Sequence, residues 1–266
     1  MTREHSRFDG RIALVTGAGS GIGRACAQAF AAEGATVAVV GHDLEGAQET
    51  ADAITAAGGH AAPFAAELAE PESVEALFDG VRQRWDRLDI VVANAGINGV
   101  WAPLGELSLD DWNQTISVNL TGTFLTVKHA LPLLRSAGGG AVVVTSSVNG
   151  TRMFSNSGAS AYATSKAGQV AFAKMLAVEL GPERIRVNVV CPGSIDTEIE
   201  QNTEQRGLDR IGRPADYPEG QIPLTGAVPG SSAQVADLVS FLASNAASHI
   251  TGTEVWIDGG QSLFAG

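Results

Sequence analysis

The strongest constraint on the fold is an alternation. Short apolar runs near 11–16, 36–41, 60–65, 89–93, 141–146, 185–190 and 253–257 are separated by longer helical patterns near 22–33, 44–57, 71–85, 109–136, 161–180 and 232–244. A strand that is apolar throughout is covered on both faces, and a helix between two such strands returns the chain to the same starting edge. The strands then run parallel with right-handed crossovers, which predicts a doubly wound α/β fold. With 266 residues, 44% of them hydrophobic, the chain can bury a large core, and a single domain over 1–266 is expected. The stretch 194–231, rich in Gly, Pro and charge, breaks the rhythm and is expected to act as a substrate lid.

Between the first apolar run and the first helical pattern lies Thr16-Gly17-Ala18-Gly19-Ser20-Gly21-Ile22-Gly23. Glycine inside an element costs about 0.5–1 kcal/mol relative to alanine, so this many in one turn imply a sharp bend or a close approach. In a strand, turn and helix unit, the first helical N–H groups have no internal partners and the dipole favours anions. The spacing G-x-G-x-x-G fails because Ile22 stands in place of its last glycine, whereas T-G-x-x-x-G-x-G fits. In open parallel sheets ligands bind beyond the carboxyl ends of the strands. That draws attention to Gly17, Gly41 to Asp43, Ala93 to Gly96, Ser146 with Ser147, and Pro192 with Gly193.

Charge excludes whole classes of partner. A formal charge of −12 disfavours nucleic acid and anionic membrane surfaces, whose phosphates need clustered cations. No apolar run approaches the length of a membrane span, and the first seven residues lack a signal-peptide core. Cys26 and Cys191 each fall in an apolar-periodic segment and read as reduced core thiols, which fits a cytoplasmic protein. No metal-ligand cluster stands out.

Tyr162 and Lys166 lie four apart on a predicted helix, so phenol and ammonium share one face. The chain has only two tyrosines and three lysines. A nearby cation favours the phenolate and is expected to lower the tyrosine pKa, making the pair a proton donor and acceptor. Ser147 and Asn119 follow other apolar segments, where either serves equally well as a cap or turn residue.

Together these features resemble the short-chain dehydrogenase/reductases, in their short single-domain, Rossmann-like branch. The resemblance runs through Thr16-Gly17 with Gly21-Ile22-Gly23, then Asn94-Ala95-Gly96, Asn119, Ser147, Tyr162 with Lys166, Asn188, Pro192-Gly193, Thr197 and Asp258-Gly259-Gly260. It implies an NAD(P)-dependent oxidoreductase that transfers a hydride between nicotinamide and the carbonyl or secondary alcohol carbon of a small substrate. Tyr162 is then the general acid/base, Ser147 bonds the substrate oxygen, Lys166 holds the nicotinamide ribose, and Asn119 anchors a water that leads protons to Lys166. Cofactor contacts are implied at Gly17, Ser20, Gly21, Ile22, Gly23, Asn94, Ala95, Gly96, Tyr162, Lys166, Pro192, Gly193, Ile195 and Thr197. The family also implies a homotetramer, with helices around 109–136 and 161–180 buried between subunits.

Three departures from the family pattern stand out. Ser147 and Tyr162 are further apart than usual, which keeps Ser146 as a rival; Glu67 replaces an aspartate that usually meets adenine; and Thr225-Gly226-Ala227 follows Ile222-Pro223-Leu224 where Gly-Arg is common. Cofactor choice turns on Gly41-His42-Asp43. A carboxylate at the end of the second strand selects NAD by accepting the ribose hydroxyls, but the usual acidic position falls on Gly41. His42 stands where NADP-preferring members often carry arginine, and an imidazole N–H can donate to a phosphate. Asp43 is expected to cap the following helix, with ribose binding as its other role. NADP(H) is therefore slightly favoured over NAD(H). The expected partner is a small ketone or alcohol; Trp101, Met153 and Phe154 are pocket, core or subunit-contact candidates. A 3-oxoacyl-carrier-protein reductase is the alternative enzyme, disfavoured by Val178 and a lone Arg135 where docking arginines are expected. A non-catalytic dinucleotide sensor is the alternative from another class, disfavoured because Tyr162, Lys166, Ser147 and Asn119 are all present.

Overall fold

The computed structural model describes residues 6–197, 199, 203–211 and 222–264. The N-terminal residues through His5 and much of the expected lid, including 212–221, lie outside the described residues. Seven strands form one sheet: β1 Ile12–Thr16, β2 Thr36–Gly41, β3 His60–Ala65, β4 Ile90–Ala93, β5 Gly140–Thr145, β6 Ile185–Pro192 and β7 Glu254–Ile257. Their spatial order is β3-β2-β1-β4-β5-β6-β7 and every pairing is parallel. The fold is the doubly wound, Rossmann-like sheet that the alternation predicts.

Successive strand residues point to opposite faces, and each face has its own core. Leu14, Val91, Val142 and Val187 pack with Phe78, Leu134 and Leu180 on one side. Ala13, Val37, Val92 and Val143 pack with Phe30, Ile54 and Val239 on the other. Double coverage explains why the strands are apolar runs rather than alternating ones. The covering helices are α1 Gly21–Ala32, α2 Leu44–Ala56, α3 Pro71–Arg84, α4 Leu109–Ile116, α5 Gly122–Ser136, α6 Ser160–Leu180 and α7 Ser232–Ala243. Capping boxes start two of them: Ser108 with Asp111 at α4, and Ser231 with Gln234 at α7.

The expected continuous helix over 109–136 is interrupted. A π-helical turn, Ser117–Thr121, joins α4 to α5 and contains Asn119. Apolar periodicity cannot register this turn, because one extra residue shifts the pattern by less than the width of the buried stripe. The stretch 194–231 also carries structure: Ile195–Asp196 pairs with Gly230–Ser231, and Glu204–Gln205 pairs with Val100–Trp101. Arg206 bonds Asp111 at 2.8 Å, and Arg210 approaches Glu106 at 2.7 Å. These contacts fasten residues 203–211 to the first turn of α4 and to the loop ahead of it.

The chain winds outward from β1 to β3, then from β4 to β7, so the direction reverses between β1 and β4. There the helices leave the two strand ends in opposite directions and open a crevice at the carboxyl edge.

Candidate active site

The crevice is a cleft of about 450 Å³. Its walls begin with the two central strand ends, which are stapled together. Thr16 Oγ1 accepts the N–H groups of Asn94 at 3.0 Å and Ala95 at 3.1 Å, and Asn94 Nδ2 donates to Thr16 O at 3.1 Å. This brings the glycine turn against the β4 end so closely that side chains are excluded. A Cβ on Gly17 would lie 2.9 Å from Ala95 Cα, and one on Gly23 would lie 2.1 Å from Gly17 O. Those two glycines thus serve the packing of the turn itself. Gly21, at φ +50°, has only Thr197 nearby and turns its backbone to the cleft.

The start of α1 is built for an anion. Its N-cap, Ser20, makes no side-chain capping bond, so the first helical N–H groups at the cleft are left to a ligand. This observation, with the glycine turn and a cleft reaching from His42 to Tyr162, fits a nicotinamide dinucleotide. Ser20, Gly21 and Ile22 would hold its pyrophosphate, and Pro192, Gly193, Ile195 and Thr197 would face its nicotinamide end. When bound, that group supplies or accepts the hydride.

The chemistry-bearing side chains converge from two elements. Tyr162 and Lys166 come from α6, and Ser147 follows β5; all three line the cleft and are buried. Ser147 hydrogen-bonds the Tyr162 phenol. Ser146 Oγ donates to Lys166 O at 2.8 Å, which commits that hydroxyl to holding α6. Lys166 Nζ donates to Thr145 O at 3.0 Å and stands 5.6 Å from the Tyr162 ring centroid.

Burial dominates the proton affinities here. It lowers Lys166 to about 8, opposed by the neighbouring Cys191, because a charged ammonium loses hydration inside the protein. It also pushes the Tyr162 phenol above its ordinary value, with the Ser147 hydrogen bond pulling the other way. The expectation that Lys166 lowers the Tyr162 pKa is therefore corrected. Desolvation is the largest effect on the phenol and favours its neutral, proton-donating form.

Asn119 is fully buried and does not line the cleft. Its Oδ1 accepts Ile97 N–H at 2.8 Å, and its Nδ2 donates to Ile97 O at 2.9 Å and Ser165 Oγ at 3.0 Å. It reaches the site through Gly96, where a Cβ would meet Asn119 Oδ1 at 3.1 Å and Lys166 Nζ at 3.3 Å.

At the far end, the three residues after β2 separate. Gly41 and His42 line the cleft, but Asp43 does not. Its carboxylate accepts Gly46 N–H at 2.8 Å and caps α2, the first of its two expected roles. His42 Nδ1 lies 3.0 Å from Glu67 Oε2. Glu67 also accepts the Ala69 N–H at 3.2 Å, so its carboxylate is held at the cleft mouth.

Of the expected cofactor contacts, Gly17, Ser20, Gly21, Ile22, His42, Asn94, Ala95, Gly96, Tyr162, Lys166, Pro192, Gly193, Ile195 and Thr197 line the cleft, while Gly23 and Asp43 do not. Trp101, Met153 and Phe154 also lie off it: Met153 is buried, Trp101 donates to Asn98 O at 3.2 Å, and Phe154 is exposed. Sequence reasoning missed Gln169, buried beside Asn119, and the Thr145 carbonyl that receives Lys166. A lone amide three residues after Lys166, on the same helical face, was the available signal for Gln169.

A doubly wound sheet with a Tyr, Lys and Ser cluster at its switch point defines a class of nicotinamide-dependent oxidoreductases. The sequence matches the family described as Enoyl-(Acyl carrier protein) reductase over residues 17–262. It is 35% identical over 254 residues to cyclohexanol dehydrogenase of Acinetobacter sp. (strain SE19), covering 96% of each chain. It is 39% identical over 264 residues to D-threitol dehydrogenase of Mycolicibacterium smegmatis, covering 97% of this chain and 95% of that one. The crystal structure of a 3-ketoacyl-ACP reductase from Sinorhizobium meliloti 1021 superposes with a TM-score of 0.90 at 49% identity, covering 95% of this chain and 99% of that one. The chain belongs to the short-chain dehydrogenase/reductase family and is an NAD(P)-dependent oxidoreductase acting on the CH–OH/C=O pair.

Proposed function

We propose that the chain, acting as a single domain over 1–266, interconverts a small free ketone and its secondary alcohol, with NADP(H) slightly favoured. The observation that carries this reading is the Tyr162 phenol, bonded to Ser147 and buried beside Lys166 in the dinucleotide cleft. In the reductive direction, Tyr162 delivers a proton to the substrate oxygen, Ser147 orients that oxygen, and Lys166 holds the cofactor ribose. Asn119 supports Lys166 beside Gly96 and anchors the water that leads protons to it.

The NADP(H) preference rests on the β2 end. Gly41 brings no carboxylate there, Asp43 is occupied at α2, and His42 faces the cleft with its side chain 80% exposed. The opposing feature is Glu67, whose carboxylate engages His42; it limits the preference. The deciding experiment is a panel of small ketones and secondary alcohols, each run with NAD(H) and NADP(H). A higher kcat/KM with NADP(H), increased by His42→Arg, is expected. A clear NAD(H) advantage that His42→Arg leaves unchanged would remove the phosphate role of His42.

The substrate is free rather than carried on an acidic protein. Arg135 is engaged by Glu183 at 2.8 Å, Val178 is exposed at the position of a docking arginine, and a charge of −12 repels an acidic carrier. The 3-ketoacyl-ACP reductase name of the Sinorhizobium structure keeps the carrier-linked substrate as the second reading. The protein assembles as a homotetramer through α5 and α6, whose outer faces expose Phe124, Met175 and Val178. It works in the cytoplasm, where the buried thiols of Cys26 and Cys191 stay reduced. Among the described residues, no helix is long and apolar enough to cross a membrane and no group of metal-binding side chains is found.

A further inference from the structure

Gln169 is fully buried on α6, seven residues after Tyr162 and three after Lys166, so all three lie on one helical face. Its Nε2 donates to Asn119 O at 2.8 Å and to Thr123 Oγ1 at 2.8 Å. Thr123 Oγ1 in turn donates to Asn119 O at 2.7 Å. The carbonyl of Asn119, in the middle of the π-helical turn, is thus clamped by two side-chain donors from two helices. Gln169 Oε1, by contrast, has no hydrogen-bond partner among the described residues. A buried acceptor without a partner lowers stability, and an apolar side chain of equal size would fill the same space without that cost. The amide therefore needs an explanation other than packing.

We infer that Gln169 is a positioning residue for the proton-handling side of the cleft. By clamping the Asn119 carbonyl it fixes the π-helical turn, and the turn holds the Asn119 carboxamide against Ile97 and Ser165. That carboxamide and the Lys166 ammonium both close on the same glycine, at the space a Gly96 Cβ would take. Releasing the clamp loosens the turn, admits water beside Lys166 and displaces the ammonium from its place behind the phenol. The titratable groups facing Lys166 are Tyr162 on its own helix and Cys191 near the end of β6; neither touches Gln169 in any hydrogen bond given above. The inference rests on the proposed roles of Lys166 and Tyr162, and the resemblance to the family gave no role to this glutamine.

Gln169→Met removes both hydrogen bonds of Nε2 while keeping length and flexibility. Thr123→Val, near-isosteric, opens the same clamp from α5 and carries the test if the methionine variant is recovered unfolded. Two readouts separate positioning from packing. The first is the pH titration of lysine 13Cε resonances in labelled protein, which is tractable because the chain has three lysines. The Lys166 midpoint is expected to rise by about one pH unit in either variant, as hydration returns to the ammonium. The second is turnover: kcat is expected to fall about tenfold with KM within about twofold, the pattern for a group acting on the chemical step. A lowered Tm with an unmoved Lys166 midpoint and kcat within about twofold of wild type overturns the inference, leaving Gln169 as a packing residue. If wild type turns over no ketone or alcohol in the panel, the proposed function fails, and the Lys166 titration still decides the role of Gln169.

Discussion

Replacing Lys166 by methionine is expected to stabilise the protein while abolishing its activity. The side chain is 4% exposed, and burial lowers its pKa from 10.5 to about 8. At about 1.36 kcal/mol per pH unit, keeping the ammonium charged in the folded state at neutral pH costs about 3 kcal/mol. Methionine occupies similar volume without that cost. The substitution also deletes the donor to Thr145 O, a loss of about 1 kcal/mol. The net gain is about 2 kcal/mol, which for a chain of this length corresponds to a Tm increase of about 3–4 °C. The sign of the pH dependence follows from a folded pKa below the unfolded one. Below about 8 both states hold the proton and the full penalty is present. Between about 8 and 10.5 the folded state has lost the proton while the unfolded state keeps it, so wild type recovers stability as pH rises. The Tm difference should therefore be widest near pH 7 and close by about pH 10. Calorimetry of both proteins at one concentration reads this directly, the concentration being fixed because assembly shifts Tm. A methionine variant less stable than wild type at pH 7, or a difference that stays constant to pH 10, would refute burial as the cause.

Tyr162→Phe should lower kcat by about a hundredfold or more and leave the cofactor Kd within about twofold, measured by quenching of protein fluorescence. Ser147→Ala should also cripple turnover, whereas Ser146→Ala, whose hydroxyl is committed to Lys166 O, should act mainly on stability; the reverse pattern would move the substrate-orienting role to Ser146. Light scattering should give a mass four times that of the 27.3 kDa chain, and a monomer at micromolar concentration would defeat the tetramer. Arg206→Ala, which cuts the tie to Asp111, should speed amide exchange over 203–211 and raise substrate KM more than it lowers kcat. Unchanged exchange would mean that the short strand pairing and the Arg210–Glu106 pair hold this segment without Arg206.

Much of this protein was determined by local sequence. Seven apolar runs between helical patterns dictate a parallel sheet, because a strand covered on both faces has no polar positions and a helical return leaves only one direction. The pairing of Tyr162 with Lys166 and the position of the glycine turn follow from helical spacing and from backbone freedom, both local properties. What needed the tertiary structure depends on groups far apart in the chain. Gly17 and Gly23 could be read as room for a ligand until Ala95 and Gly17 O were seen to occupy the space of their side chains. The direction of the Tyr162 pKa was misjudged because pair spacing reports a charge at hand and says nothing of burial, which here is the larger effect. Asp43 as a cap, Glu67 against His42, and Gln169 on the Asn119 carbonyl all arise where separate elements meet. The π-helical turn joins them in that class, since one of its two stabilising donors, Gln169, comes from α6, fifty residues further along the chain from Asn119. Hydrogen-bond partners and desolvation are set by which surfaces the fold brings together, and no window of sequence contains both sides of such a contact.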